Sequence, residues 1–408
     1  MKLTLSFLSL VFISWSAIAG TTADSVQLNQ LFKERLLLRD QLIPGITSPG
    51  DALKIKAEIT DRRYEEDRLG EFLVGNHHRP LEEKSPPLFS SGQTVLLNPA
   101  FSKLEFQSGD VMILRGLSTI STTIASVADV SSSFSHSLTI YLNPADQKFY
   151  VIEALIDKGV TVTPLDVVLS EGVPKAVLYR HKNAALAAAA AKIDFDKATA
   201  ALAAGHAIPY AKNLAFDGYD QITCAKLVRM GFDLASNGVV KMPSFPSTLG
   251  QKYPHIAAAL GFPNAVIPVE WPADFDSEKD LQLVAESRDF EATLNFRIKD
   301  QIILSLLDWV EAGVVGHDFS KFSKGTPSQN ESMNKMDVFA RMANDVVNAV
   351  ASKVLRANDQ QVKKTGLNMS EKEIKQYMES IRQIPAVQNI LGSSGFRPQP
   401  ISCGRGLL

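Results

Sequence analysis

Hydrophobic positions change their spacing twice along the chain. From Ser25 to Leu42 and from Pro49 to Val74 apolar residues recur at helical spacing among many charges, which predicts two amphipathic helices forming an N-terminal hairpin or collar. Charge runs such as Asp61-Arg62-Arg63-Tyr64-Glu65-Glu66-Asp67-Arg68 are expected on solvated helix faces. Gly75 to Ser91, rich in Pro, His and Gly, reads as a linker. From Ser108 onward short apolar or alternating runs take over, at Val111–Arg115, Ser135–Leu142, Gln147–Ala154, Gly159–Leu165 and Lys175–Arg180, and these read as strands. Leu117 to Ser133, dominated by small residues, is expected to be a short helix or loop. Asn183 to Ala204 is an Ala-rich helix closed by Gly205, and Gly238 to Asp276 is a proline-dense loop wrapping the sheet. Beyond Ser277 helical spacing returns, at Asp280–Ala312, Met333–Ala357 and Ser370–Gln383. The whole predicts an α+β protein, with N-terminal helices and linker over 20–100, a sheet domain over 101–276 and a C-terminal helical region over 277–408.

Alternation in Ser135–Leu142 puts His136, Leu138, Ile140 and Leu142 on one face. Asn143-Pro144-Ala145-Asp146 is a good turn, and pairing Leu142 with Gln147 sets Ile140 opposite Phe149, Leu138 opposite Val151 and His136 opposite Glu153. A carboxylate there orients the ring and favours imidazolium. Such a couple is equally at home as a satisfied buried pair.

Further on, Thr223 caps a helix whose first turn carries Cys224, and Cys224, Leu227, Val228, Gly231, Leu234 and Ala235 share an inward face. A thiol at a helix N-terminus meets the positive end of the macrodipole, which favours thiolate. Its bland alternative is a small buried hydrophobe. Cys224 with His136 and Glu153 makes a nucleophile, a base and an orienter.

Composition adds little bias. The chain has 408 residues with 42 basic and 44 acidic side chains, so neither a nucleic-acid footprint nor a polybasic membrane patch is expected. Lys2, an apolar stretch from Leu3 to Ile18 and Ala17-Ile18-Ala19 read as a signal peptide over 1–19, which predicts an exported protein, periplasmic or secreted and without stable membrane insertion; the alternative is an uncleaved anchor. The two cysteines, Cys224 and Cys403, could instead form one disulfide, a poor framework for this length. The adjacent His77-His78 pair diverges on any regular element, and no metal or cofactor is expected.

The order of Gly109-Asp110, Ser135-His136-Ser137, Ile152-Glu153-Ala154 with Gly159-Val160, Pro209-Tyr210 and Thr223-Cys224-Ala225-Lys226-Leu227-Val228 resembles the permuted papain-like hydrolases of the YiiX/YaeF type, relatives of the NlpC cell-wall peptidases. The resemblance covers about Phe106 to Asp276. It implies a permuted papain-like core, an antiparallel sheet packed on the cysteine helix, with Cys224 as nucleophile, His136 as base, Glu153 as third member and Tyr210 beside the oxyanion. The family more often has an aromatic before the cysteine and Ser-Glu after it, where this chain has Thr223 and Ala225-Lys226. The resemblance thus implies a cysteine peptidase or amidase acting on an amide or ester bond in a peptide, acyl-amine or lipid-ester substrate. The alternative is a catalytically silent papain-like scaffold whose helical regions contact a partner protein.

Overall fold

A computed structural model of the chain describes residues 21–75, 93–214, 217–259, 266–317 and 332–398. The expected signal peptide, the linker stretch 76–91, the His77-His78 pair and Cys403 lie outside the described residues.

The chain opens with the expected helical pair, α1 (Thr21–Leu42) and α2 (Pro49–Gly75), packed on each other. A seven-stranded antiparallel sheet follows, built from β1 (Thr94–Leu97), β2 (Val111–Leu114), β3 (His136–Asn143), β4 (Lys148–Leu155), β5 (Gly159–Pro164), β6 (Lys175–His181) and a strand Leu281–Arg288. Between these run α3 (Thr119–Val127), α4 (Leu165–Ser170), α5 (Ala184–Ala203), α6 (Cys224–Ala235), β7 (Ser247–Leu249), α7 (Pro254–Ala259) and β8 (Ile267–Val269), which makes the late sheet strand β9. The spatial order is β1-β9-β6-β2-β3-β4-β5. The remainder is helical apart from a small strand pair: α8 (Phe290–Glu311), β10 (Val315–His317), α9 (Ser332–Thr365), α10 (Glu371–Ile381), α11 (Pro385–Ser393) and β11 (Phe396–Pro398). Mixed helix and antiparallel sheet is the α+β architecture expected.

Two local expectations change. The stretch 281–288 is not the start of a helix but β9, seated between β1 and β6. Leu281, Leu283 and Ala285 are buried at strand spacing, and Asp289, which accepts from the Glu291 and Ala292 amides, caps α8 only after the strand ends. Likewise Thr94–Leu97, expected to be linker, pairs with β9 as an edge strand.

Helix α5 and helix α6 cover one face of the sheet, where Val111, Ile113, Val177 and Tyr179 meet Ala190, Val228 and Phe232. Met112, Leu138, Ile140 and Leu178 fill the other face against α4. Gly231 lets α6 approach α5 closely, because a Cβ there would stand 2.9 Å from the Ala190 carbonyl oxygen. On the outward side of α6, Leu234 is 37% exposed and does not share the inward face. One apolar cluster runs from Ile152 and Leu227 through α3 to Ile302, Met342 and Leu391, so the C-terminal helices share a core with the sheet layer.

The charge runs of α1 and α2 are only partly solvated: Asp61, Arg62 and Glu65 are exposed, but others are not. Arg35, Arg63, Glu66 and Asp67 are buried. Arg63 pairs with Asp276 at 2.9 Å and Glu286 at 3.2 Å, Arg35 with Glu66 at 2.7 Å and Glu286 at 2.8 Å, and Arg288 with Asp67 at 3.2 Å; Lys175 reaches Asp67. Each of these four buried charges finds a counter-charge on the sheet side, which is the only cheap way to bury it. Burial opposes ionisation of Glu286, but Arg35, Arg63 and Arg288 outweigh it and hold the carboxyl well below the usual range.

Candidate active site

Helix α6 begins at Cys224, and the Thr223 hydroxyl accepts the Lys226 amide as its N-cap. The thiol therefore sits on the first turn of a 12-residue helix, at its positive end. His136 is the first residue of β3, at the end of the sheet against which α6 packs. Its Nε2 lies 2.7 Å from Glu153 Oε2 on β4, which leaves Nδ1 for the sulfur.

The hairpin register differs from the expectation by two residues. Leu142 pairs with Phe149, Ile140 with Val151 and Leu138 with Glu153, so His136 meets Glu153 on the diagonal. The turn keeps the expected four residues but sits one position later, at 144–147, where Gln147 adopts a left-handed conformation, φ 57°, and its amide donates to the Asn143 carbonyl at 2.9 Å. A slip of two preserves the face, and a diagonal neighbour is still within reach of an imidazole and a Glu side chain.

Tyr210 is brought to the same point by a short parallel bridge to Ile222: Ile222 N–H donates to Pro209 O at 3.0 Å, and Ala211 N–H to Ile222 O at 3.1 Å. Its hydroxyl lies against both the sulfur and the backbone N–H of Cys224.

The electrostatics follow from burial and these contacts. Burial alone disfavours thiolate, but the hydrogen bond and charge of His136, followed by the Ser137 backbone N–H, lower the Cys224 thiol below its ordinary value. Burial likewise disfavours imidazolium, yet the hydrogen bonds to Cys224 and Glu153 outweigh it and raise His136 to about 10. Both shifts favour a thiolate–imidazolium pair at neutral pH. The Tyr210 phenol is pushed well above its ordinary value by burial first and then by the neighbouring thiol, so it stays protonated.

Cys224 is 5% exposed. Ile124, Leu214, Val269, Glu270, Trp271 and Pro272 close over it, leaving a cavity of about 10 Å³, room for no more than a water. The Trp271 indole N–H is buried there without a partner. Sequence reasoning left these covering residues unassigned; the signal was a tryptophan between Glu270 and Pro272 in a stretch otherwise read as loop. Among the described residues no three or more His, Cys, Asp or Glu side chains are grouped to hold a metal ion, and no helix is long and apolar enough to cross a membrane.

No family model matches the chain, and no curated protein does. Among solved structures it is similar to the crystal structure of the metalloprotein yiiX from Escherichia coli O157:H7, at 19% identity over 44% of this chain and 97% of that one, with a TM-score of 0.33.

Proposed function

We propose that this protein is a cysteine hydrolase with a permuted papain-like core of the YiiX/NlpC type, in which Cys224, His136 and Glu153 act together on an amide or ester bond. The observation that carries the proposal is the convergence of a helix-start thiol on an imidazole whose far nitrogen is held 2.7 Å from a carboxylate. The thiolate attacks the carbonyl carbon, and the oxyanion that forms meets the Cys224 backbone N–H and the Tyr210 hydroxyl. His136 gives its proton to the departing amine or alcohol, leaving a thioester on Sγ. Water then loses a proton to His136 as it attacks that thioester, and the acid and the thiolate are regenerated. Glu153 holds the ring and its charge. With an export signal over Met1–Ala19, the substrates are extracytoplasmic: cell-wall peptide amides, acylated amines or lipid esters.

The test is acyl trapping with p-nitrophenyl acetate. The expected result is a burst of p-nitrophenolate and an acetyl group on Cys224 by mass spectrometry, both lost in Cys224→Ala and nearly lost in His136→Ala. An acetyl group appearing on Cys224 equally in His136→Ala would refute the proposal. The second reading, a silent scaffold whose helical regions hold a partner protein, is favoured by one feature: the cover that leaves Cys224 almost no open space.

A further inference from the structure

The small cavity at Cys224 has a larger neighbour. A cleft of about 590 Å³ runs along the polar side of α6, lined among others by Tyr219, Lys226, Arg229, Asp233 and Lys241. Leu214 and Glu270 belong to the walls of both spaces. They are the partition between the cleft and the nucleophile.

Glu270 is held in that partition by an ion pair with Arg229, the two side chains being 14% and 23% exposed. The residues on either side of it in the chain, Val269, Trp271 and Pro272, are the cover over Cys224. Arg229 stands five positions after Cys224 on α6, about 7.5 Å along the helix axis. With the turn of about 140° round the helix between them, the path matches about two to three residues of extended peptide. Lys226 lies one turn before Arg229 on the same side of the helix, with Asp217, a fully exposed carboxylate, 3.9 Å away. Asp233 is engaged by the Tyr219 hydroxyl at 2.6 Å.

We propose that the cleft binds a carboxylate of a peptide-like substrate two residues from the scissile bond, that this carboxylate replaces Glu270 on Arg229, and that the released Glu270 frees Val269–Pro272 to uncover Cys224. The proposal rests on reading Cys224 as the nucleophile. The protein's own Glu270 shows which chemistry fits the guanidinium, whose planar fork matches a carboxylate. The pair is partly exposed, so exchanging one carboxylate for another on the guanidinium is nearly even. The balance tips because the incoming chain also meets Lys226 and Lys241, while Glu270 leaves a cleft whose basic side chains then outnumber the acidic ones. The substrate thus opens the site it needs, and a neutral ligand does not.

The experiment uses the full chain with Cys403→Ser, so that Cys224 is the single thiol. Three alkylating reagents are compared at pH 7: iodoacetamide, iodoacetyl-Ala-Glu and the neutral iodoacetyl-Ala-Gln-amide, each losing iodide as the sulfur bonds to its methylene carbon. The anionic dipeptide is expected to react about tenfold faster than the neutral one, the scale of one charge-assisted pair. Arg229→Gln should erase that preference. Glu270→Gln should raise the iodoacetamide rate about tenfold, because the cover loses its tether. Equal rates for the two dipeptides together with an unchanged iodoacetamide rate in Glu270→Gln would overturn the latch, while a rate that still falls in His136→Ala would leave the nucleophile reading standing. If iodoacetamide labelling is indifferent to His136→Ala, the nucleophile reading fails and the latch with it.

Discussion

Removing His136 should change the pH profile of Cys224 in a direction that simple loss of a neighbour does not. Burial, the largest single influence on the thiol, raises it, while the hydrogen bond and the charge of His136 lower it. In His136→Ala the largest lowering influence is gone while burial stays, so the thiol climbs toward its ordinary value of about 8.5 and beyond. For each unit of that climb, the thiolate fraction at a pH below it falls tenfold. Intrinsic nucleophilicity recovers about threefold, since thiolate reactivity follows basicity with a Brønsted slope of about 0.5. The net rate therefore falls about threefold per unit in acid and neutral solution. At high pH the order reverses, because the more basic thiolate of the variant is then fully formed. In the wild-type protein the imidazolium persists until the pH passes about 10, where the thiolate loses its partner. The assay is the second-order rate of iodoacetamide alkylation from pH 5 to 11 in the Cys403→Ser background. Glu153→Ala should displace the curve in the same direction as His136→Ala but less, and Glu153→Gln, which keeps a hydrogen-bonding orienter, less again. One apparent pKa shared by wild type, His136→Ala and Glu153→Ala would refute the coupling.

Other perturbations test the surroundings of the site. Tyr210→Phe should slow turnover of p-nitrophenyl acetate by about 10²–10³ while leaving alkylation near wild type, as expected for a lost oxyanion donor. Asp194 is fully buried, accepts from Thr139 Oγ1 at 3.2 Å and has no partner at Oδ1, and burial holds its carboxyl well above the ordinary range. Its contribution is therefore complete below the unfolded value of about 3.9 and is lost as pH rises toward the folded one, so Asp194→Asn should gain on wild type between pH 4 and 8, by about 1–3 kcal/mol in urea unfolding. Gly231→Ala places a Cβ 2.6 Å from Asp194 Oδ2 and 2.9 Å from a backbone oxygen, which should cost about 1–3 kcal/mol and slow Cys224 alkylation by displacing α6. Glu286→Ala strips a shared carboxylate from Arg35, Arg63 and Arg288 and should cost about 3–5 kcal/mol by the same unfolding measurement.

What could be read from the residues was whatever is local. The cap at Thr223, the alternation of β3 and the face shared by His136 and Glu153 all depend on neighbours in the chain. Even the misplaced register preserved that face, because side chains alternate with period two and the slip was two. Strand β9 was hidden because its alternation runs straight into α8, and its buried Glu286 and Arg288 imitate the polar face of a helix. Glu286 and Arg288 do pair with each other, but their partners Arg63 and Glu66 on α2 are more than two hundred residues away, so nothing nearby in sequence marks the pair as buried. The same holds for the cover over Cys224, where Ile124 and Trp271 come from elements separated by most of the sheet.

The two sides of that cover are not held alike. Ile124 belongs to α3, which is clamped from several directions: Thr119 Oγ1 donates to Asn344 on α9 at 2.8 Å, the preceding Arg115 pairs with Asp300 on α8 at 2.6 Å, and α3 itself is part of the large apolar cluster shared with the C-terminal helices. Moving this wall means breaking a buried ion pair and separating packed helices, which costs several kcal/mol. Opposite it, Val269–Pro272 leads out of the short antiparallel pair β7 and β8, with Thr248 bonded to Asp129, Glu270 to Arg229 and the Trp271 backbone N–H to Asp274 at 2.8 Å. Val269 and Trp271 are buried in the same apolar cluster, but the ion pair that holds Glu270 between them is partly exposed, so this side opens without breaking a fully buried ion pair. The C-terminal helices thus fix the α3 wall and leave the segment that carries Glu270 and Trp271 as the side held by a partly exposed ion pair.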